Sequence, residues 1–318
     1  MKKNRLFLVL LMISLVLTLS ACQSPTPPVT TETETDASAG KPTTDRAGFA
    51  IQVPETIDTI ISLAPSITQV IDELGFRDQL VAVDTQSPLY TEGLNDLNQF
   101  DMLAPDMEAL AGLAPDIMFV SGLSSETSDD PFKQLKDLGI TVVTLQTSNT
   151  LDDIKKDNQF IADVLGATEQ GVVLNDTFQA KLDEVKALAD TITEKKSVLF
   201  EISNLPDIYS TGSGTYLNEL IELIGATNIM SDKTSWLKVA EEEALSRNPD
   251  VILTNVNWIE DSVADALART GWSQVSAIKN NAVYYIDNGY SSLPNHNVAK
   301  ALVQMAKAVY PDVYKDLE

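Results

Sequence analysis

The chain is poor in the side chains that most enzymes use for chemistry. It has one cysteine, Cys22, in 318 residues. No disulfide, thiolate metal site or cysteine nucleophile can therefore exist in the folded body. A single histidine, His296, all but excludes histidine-based triads and multi-histidine metal sites. Basic residues are also scarce: 22 Lys and Arg stand against 46 Asp and Glu, for a net charge of −24. A surface this acidic repels phosphate backbones, which excludes nucleic acid as a partner, and it keeps the protein soluble. No phosphate loop is present, because Gly212-Ser213-Gly214 lacks the following Gly-Lys-Ser/Thr and reads as a turn before a helix at Tyr216. Glu241-Glu242-Glu243 could hold a divalent metal, but acidic residues also suit the first turn of a helix. No catalytic residue, metal or cofactor is expected.

The beginning of the chain is informative. Lys2, Lys3 and Arg5 precede an apolar run from Leu6 to Leu19, followed by Ser20-Ala21-Cys22. A basic start, an apolar stretch and small residues describe a secretory signal peptide over residues 1–21. The run is short for a membrane span of about 20 residues. The Leu-Ser-Ala-Cys ending is similar to the bacterial lipobox, in which Cys22 is lipidated and becomes the first mature residue. The expected location is extracytoplasmic, anchored to the cell membrane through Cys22. A Thr-, Pro-, Ser- and Glu-rich stretch follows. It cannot bury enough apolar surface to offset its ordering entropy, so residues 22–55 are read as a flexible tether. Roughly 270 residues remain, enough for two core-bearing lobes.

From Ile57 the chain alternates strand-like runs with helix-period segments. Ile57–Leu63 reads as a strand, and Ile67, Val70, Ile71 and Leu74 then form one helical face ended by Gly75. Further strands are expected at Val81–Val83, Ile117–Val120 and Thr141–Leu145, with a helix from Pro131 to Leu138. The pattern then yields to helix. Leu174, Phe178, Leu182, Val185 and Leu188 mark a helix from Thr168 to about Glu194, without proline. Some 27 residues of helix span roughly 40 Å, more than one lobe needs. Strands restart at Val198–Ile202, Val251–Leu253 and Val283–Ile286, and Val298, Leu302, Met305 and Val309 close the chain with a helix. The expected fold is α/β: two similar lobes with central, mostly parallel sheets, joined by a single long backbone helix. The boundaries are 56–148 for the first lobe, 149–195 for the connecting helices and 196–318 for the second lobe.

The halves echo each other. Leu217, Leu220, Ile221, Ile224 and Gly225 repeat the pattern of the helix ending at Gly75. Glu108 and Glu242 each lie seven residues before a Pro-Asp pair, Pro115-Asp116 and Pro249-Asp250, that precedes a strand. The ordered segments Ile61–Thr68, Ala104–Glu108, Tyr216–Ala226, Trp236–Asp250 and Ala277–Tyr284 resemble the class III solute-binding proteins of ABC importers, which serve ferric siderophores, haem and cobalamin. That resemblance implies a binding protein with no turnover, whose partners are a small-molecule ligand, a permease and its ATPase. It also implies that Glu108 and Glu242 dock on permease arginines; exposed carboxylates can orient such an encounter and pair bidentately with Arg. One departure is Thr68-Gln69, where the family often has Thr-Glu. A metal-dependent hydrolase, or an adhesin or sensor lipoprotein on the same frame, is the competing reading.

Ligands of open α/β sheets bind outside the carboxyl ends of the strands. That rule brings Pro65, Ser66, Gln86, Met102 and Ser121 to the cleft from the first lobe, and Asn204, Trp236, Asn257, Trp258 and Tyr290 from the second. The aromatic three could pack on a flat conjugated ligand. These loops carry no Arg and only Lys233 as a cation. A hydroxamate siderophore or a corrinoid therefore fits better than a strongly anionic catecholate. Relatives that hold haem use a Met and a His from opposite lobes, a role open here only to Met102 with His296, since Asn257 stands where the histidine is expected.

Overall fold

Both faces of a parallel sheet are covered, so its strands lose the alternation of half-buried ones. Ile60–Leu63 (β1) and Ile117–Ser121 (β4) show this, being buried almost throughout. The computed structural model describes residues 40–122 and 130–318. The expected signal peptide, Cys22 and the tether up to residue 39 lie outside the described residues.

The first lobe runs β1, α1 (Pro65–Glu73), β2 (Leu80–Asp84), α2 (Ser87–Tyr90), β3 (Asn98–Phe100), α3 (Met107–Gly112), β4, α4 (Lys133–Asp137) and β5 (Thr141–Leu145). Its sheet is parallel in the order β3-β2-β1-β4-β5. Two long helices follow, α5 (Leu151–Leu165) and α6 (Thr168–Ala189). The second lobe runs β6 (Ser197–Glu201), β7 (Ile208–Thr211), α7 (Tyr216–Leu223), β8 (Thr227–Asn228), β9 (Trp236–Val239), α8 (Glu241–Arg247), β10 (Val251–Thr254), α9 (Ser262–Leu267), α10 (Ser276–Lys279), β11 (Val283–Tyr285), α11 (Asn288–Ser292) and α12 (Val298–Val309). Its sheet is parallel in the order β11-β10-β6-β8, and β7 and β9 form a separate antiparallel pair.

The expected spine is α6, shorter than read from the sequence: 22 residues, about 33 Å at 1.5 Å per residue. It ends at Ala189, where Asp190 closes the last turn. Leu174 lies in the first lobe's core, whereas Phe178, Leu182 and Val185 lie in the second's. Helix α5 lies alongside and shares the bridging. Leu151 and Ile154 reach the second core, and Ile161, Val164 and Leu165 the first. Gly171 permits the close approach of the two helices, because a Cβ there would meet the Ala162 Cβ at 2.5 Å.

Two boundaries differ from expectation. Strand β1 begins at Ile60, not Ile57. The tether does not extend to residue 55, because residues 40–55 already pack on the first lobe. Buried Asp45 accepts the amide N–H of Ala47 (3.0 Å), Phe49 (2.8 Å) and, on β5, Thr144 (3.0 Å). Arg46 pairs with Asp157 on α5 at 2.6 Å. The mixed composition of this arm hides its order: hydrogen bonds and one ion pair hold it together with Ile51 and Val53, which pack against the first lobe's core.

Candidate functional site

The repeated Pro-Asp pairs are joints between strands. The Asp116 carboxylate accepts the amide N–H of Asp58 and Thr59 and the Thr59 hydroxyl, each at 2.9 Å, which fixes the entry to β1. The Asp250 carboxylate accepts the amide N–H of Ser197 at 2.9 Å and its hydroxyl at 2.7 Å, fixing the entry to β6. Each pair follows a residue with left-handed backbone, Ala114 (φ 44°) and Asn248 (φ 45°). Hydrogen bonds to its charged form hold the Asp116 carboxyl below the usual carboxylate range.

Upstream of each joint the chain repeats a second arrangement. Met102 and Trp236 line the groove between the lobes, and six residues beyond each stand Glu108 and Glu242. Both glutamates are exposed and occupy the second position of a short helix, α3 and α8. Each lobe therefore offers one carboxylate at the helix start that follows its groove residue. The neighbours Glu241 and Glu243 serve the protein itself: Glu241 accepts the Trp272 indole N–H at 2.8 Å, and Glu243 pairs with Arg247 at 2.7 Å.

The groove has two adjoining hollows that share Thr147, Ser292 and Pro294. The hollow on the first lobe measures about 290 Å³ and holds Pro65, Ser66, Gln86, Met102 and Ser121 together. The other, of about 220 Å³, is lined by Trp236, Tyr216, Ile202 and Asn255. Trp236 of β9 packs edge-on against Tyr216 of α7, with centroids 5.4 Å apart, so the two form an aromatic wall. Four predicted residues fall elsewhere. Trp258 is 58% exposed. Asn257 lines a polar hollow with Glu260 and Asp261. Asn204 donates to Asp265 at 3.5 Å. The Tyr290 ring lies under the Lys300 ammonium at 5.1 Å, against α12. The loop after β10 turns away because the Asn255 amide is held by Ser291 and Ser292, each at 3.0 Å. Lys233, the one cation of the expected cleft loops, faces Glu243 at 3.6 Å.

The groove also has lining residues beyond those expected from the sequence. Gln146, Thr147 and Ser148 follow β5 and obey the strand-end rule, so they were within its reach. Asp157 and Asn158 come from α5. Their signal is two polar residues at the buried spacing between Ile154 and Ile161. Asp157 accepts the Ser148 hydroxyl at 2.5 Å and Arg46 Nε at 2.6 Å. Burial pushes its carboxyl up, opposed by those two bonds and the Arg46 charge.

Polar contacts tie the lobes beside the groove. The Gln69 amide donates to the Tyr90 carbonyl (3.0 Å) and accepts from Asn295 (2.7 Å) and Asn297 (3.3 Å). Asn295 also donates to the Ser66 carbonyl at 3.1 Å, and the Tyr90 hydroxyl to Asn288 at 3.0 Å. An ionised carboxylate cannot donate, so glutamine at position 69 suits this junction. His296 lies on a different hollow, with Glu73, Phe178 and Lys300. Burial, aided by Lys300, lowers its pKa to about 4. The pairing of Met102 with His296 as axial ligands is thereby overturned, since the two line separate hollows.

The comparisons agree with this architecture. The "Periplasmic binding protein" family model matches residues 60–290. The chain is 31% identical over 259 residues to an uncharacterized ABC transporter substrate-binding lipoprotein, YvrC, of Bacillus subtilis, covering 81% of each. It is 26% identical over 280 residues to a cobalamin-binding protein of Halobacterium salinarum, covering 84% of this chain and 73% of that one. Among solved structures, a periplasmic solute-binding protein from Staphylococcus epidermidis superposes with a TM-score of 0.72 at 25% identity, covering 80% of this chain and 100% of that one. The molybdate-bound MolA of Haemophilus influenzae shares the fold, with a TM-score of 0.73 at 22% identity and coverage of 86% and 93%. With two parallel-sheet lobes, a helical spine and a groove between them already in place, these matches mean that the chain belongs to the periplasmic binding protein family, among the substrate-binding proteins of ABC transporters.

Proposed function

We propose that this protein is the lipid-anchored, extracytoplasmic binding component of an ABC importer, and that its inter-lobe groove captures a metal chelate of low charge, a corrinoid foremost. One observation carries the ligand class: among the described residues, no Lys or Arg lines either hollow of the groove. The lining is apolar carbon, hydroxyls and carboxamides around the Trp236–Tyr216 wall, with Asp157 as its single carboxylate among those residues. Such a surface packs on a flat conjugated body and hydrogen-bonds neutral substituents, and it offers no cation to a catecholate or oxyanion. Neither hollow encloses a macrocycle by itself, so a ligand of that size spans both. The cobalamin-binding relative supports this choice. Cys22 supplies the anchor, and Glu108 and Glu242 the two contacts with the permease. A protein in this role binds and releases without turnover. Native mass spectrometry of the purified protein against cyanocobalamin, haem and hydroxamate and catecholate siderophores tests the reading. A one-to-one corrinoid or hydroxamate complex is expected; exclusive capture of a tricatecholate would contradict the ligand class.

A further inference from the structure

The groove carries one formal charge among its described lining residues, and it is negative. Asp157 reaches the first-lobe hollow from α5 while remaining only 7% exposed. Both of its oxygens are engaged from the protein side. Arg46 Nε donates to Oδ1 at 2.6 Å, and the Ser148 hydroxyl to Oδ2 at 2.5 Å. Arg46 belongs to the docked N-terminal arm and does not line the groove, so the counter-ion stands away from the ligand side. A carboxylate oxygen has two acceptor sites, so one protein donor on each leaves capacity for a ligand donor. Asn158, Gln86 and Gln146 share the same hollow.

We infer that Asp157 is the specificity determinant of the groove: its carboxylate accepts an N–H donor, of the carboxamide or ammonium class, from a neutral or cationic ligand and rejects ligands that bring an anion to that end. The inference rests on the importer reading and narrows it from low charge to a stated donor group. A buried charge that is paired on one side and faces a ligand on the other discriminates in both directions. A matching donor gains a charge-assisted hydrogen bond. An incoming carboxylate or oxyanion meets like charge in a partly dry site, where screening by salt is weak. The arm at residues 40–55 thereby becomes part of the site, since Arg46 holds Asp157 in place without presenting its own charge to the ligand.

Calorimetric titration tests this with three probes: cyanocobalamin, whose side chains are neutral carboxamides; its separated monocarboxylic acids; and molybdate. The natural protein is expected to bind cyanocobalamin and not molybdate, and at least one monoacid should bind about tenfold or more weakly than the parent. Asp157→Asn, with folding checked by circular dichroism, should lower cyanocobalamin affinity about tenfold and narrow the gap between parent and that monoacid. If the variant does not fold, the monoacid comparison on the natural protein still decides. Equal affinity for the parent and every monoacid overturns the inference, as does tighter binding of molybdate than of cyanocobalamin; neither result touches the importer reading, which uptake assays test separately. Failure of all three probes to bind overturns the corrinoid assignment and this inference together.

Discussion

The two lobes share a frame and differ in what they present to the groove. Each carries a groove residue, an exposed glutamate six positions later and a Pro-Asp joint seven positions after that: Met102, Glu108 and Pro115 in one, Trp236, Glu242 and Pro249 in the other. The rest diverges. The first lobe has five parallel strands whose loop ends bring hydroxyls and carboxamides. The second has four, and adds the antiparallel β7–β9 pair that places Trp236 against Tyr216. The repeated elements fix how strands start and where the rim carboxylates stand. The groove lining differs between the lobes, both at the repeated position, Met102 against Trp236, and in the parts that do not repeat. Proteins that keep a partner while changing a cargo are expected to divide their sequence in this way.

The comparison can be broken first at the rim. If Glu108 and Glu242 are equivalent contacts, Glu108→Lys and Glu242→Lys should each cut uptake in cells severely, because like charge against an arginine cluster costs on the order of several kcal/mol. Ligand affinity of the soluble proteins should barely change, since exposed charges are screened within about 8–10 Å. Normal transport by both variants would remove the docking assignment. Loss of ligand binding by both would move these residues into the groove.

The joints come next. Asp116 accepts three hydrogen bonds and Asp250 two from the strand each one anchors. Asp116→Ala should lower stability by about 2 kcal/mol and Asp250→Ala by about 1 kcal/mol in denaturant titration, both being partly open to solvent. Equal costs, or a larger loss at Asp250, would show that bond count does not set the difference.

Between the lobes, His296 gives a pH dependence. Its folded pKa of about 4 lies below the ordinary 6.5, so the unfolded chain binds the proton more readily. Stability is complete above pH 6.5 and declines as pH falls from there toward 4. At pH 5 the loss from this group is about 2 kcal/mol. His296→Gln should flatten the fall in melting temperature between pH 7 and 5, and an unchanged slope would exclude His296 as its source. The junction beside the groove gives a further test. Gln69→Glu retains the acceptor for Asn295 and sets a buried carboxylate oxygen where an N–H donated to the Tyr90 carbonyl, which should cost about 1–3 kcal/mol. A variant as stable as the natural protein would mean that this bond does not hold the lobes.

Much of the frame was legible in the sequence because it rests on apolar periodicity. The buried faces of α1, α6, α7 and α12 follow Ile67-Val70-Ile71, Leu174-Phe178-Leu182, Leu217-Leu220-Ile221 and Leu302-Met305-Val309. The 40–55 arm and the β7–β9 pair were not legible. The arm is held by Asp45 and Arg46, whose partners lie about a hundred residues away. The pair is joined across α7 and β8, and each strand has only four residues. At the groove, the strand-end rule names first-lobe residues and Trp236 that line the hollows, whereas Asn204, Asn257, Trp258 and Tyr290 lie elsewhere. It fixes where a loop starts and not which way the loop turns, which after β10 is decided by the Asn255 contacts. Asp157 escaped because its helix reads as connecting structure, although a carboxylate at a core spacing was visible in the sequence.

A single ligand spanning both hollows would be gripped by both lobes across the groove. Hydrogen–deuterium exchange with and without cyanocobalamin tests it most directly. Protection is expected together at residues 64–70, 146–150, 234–237 and 290–295, with no change at 257–260. Protection confined to one lobe, or to the hollow around His296 and Phe178, would contradict it.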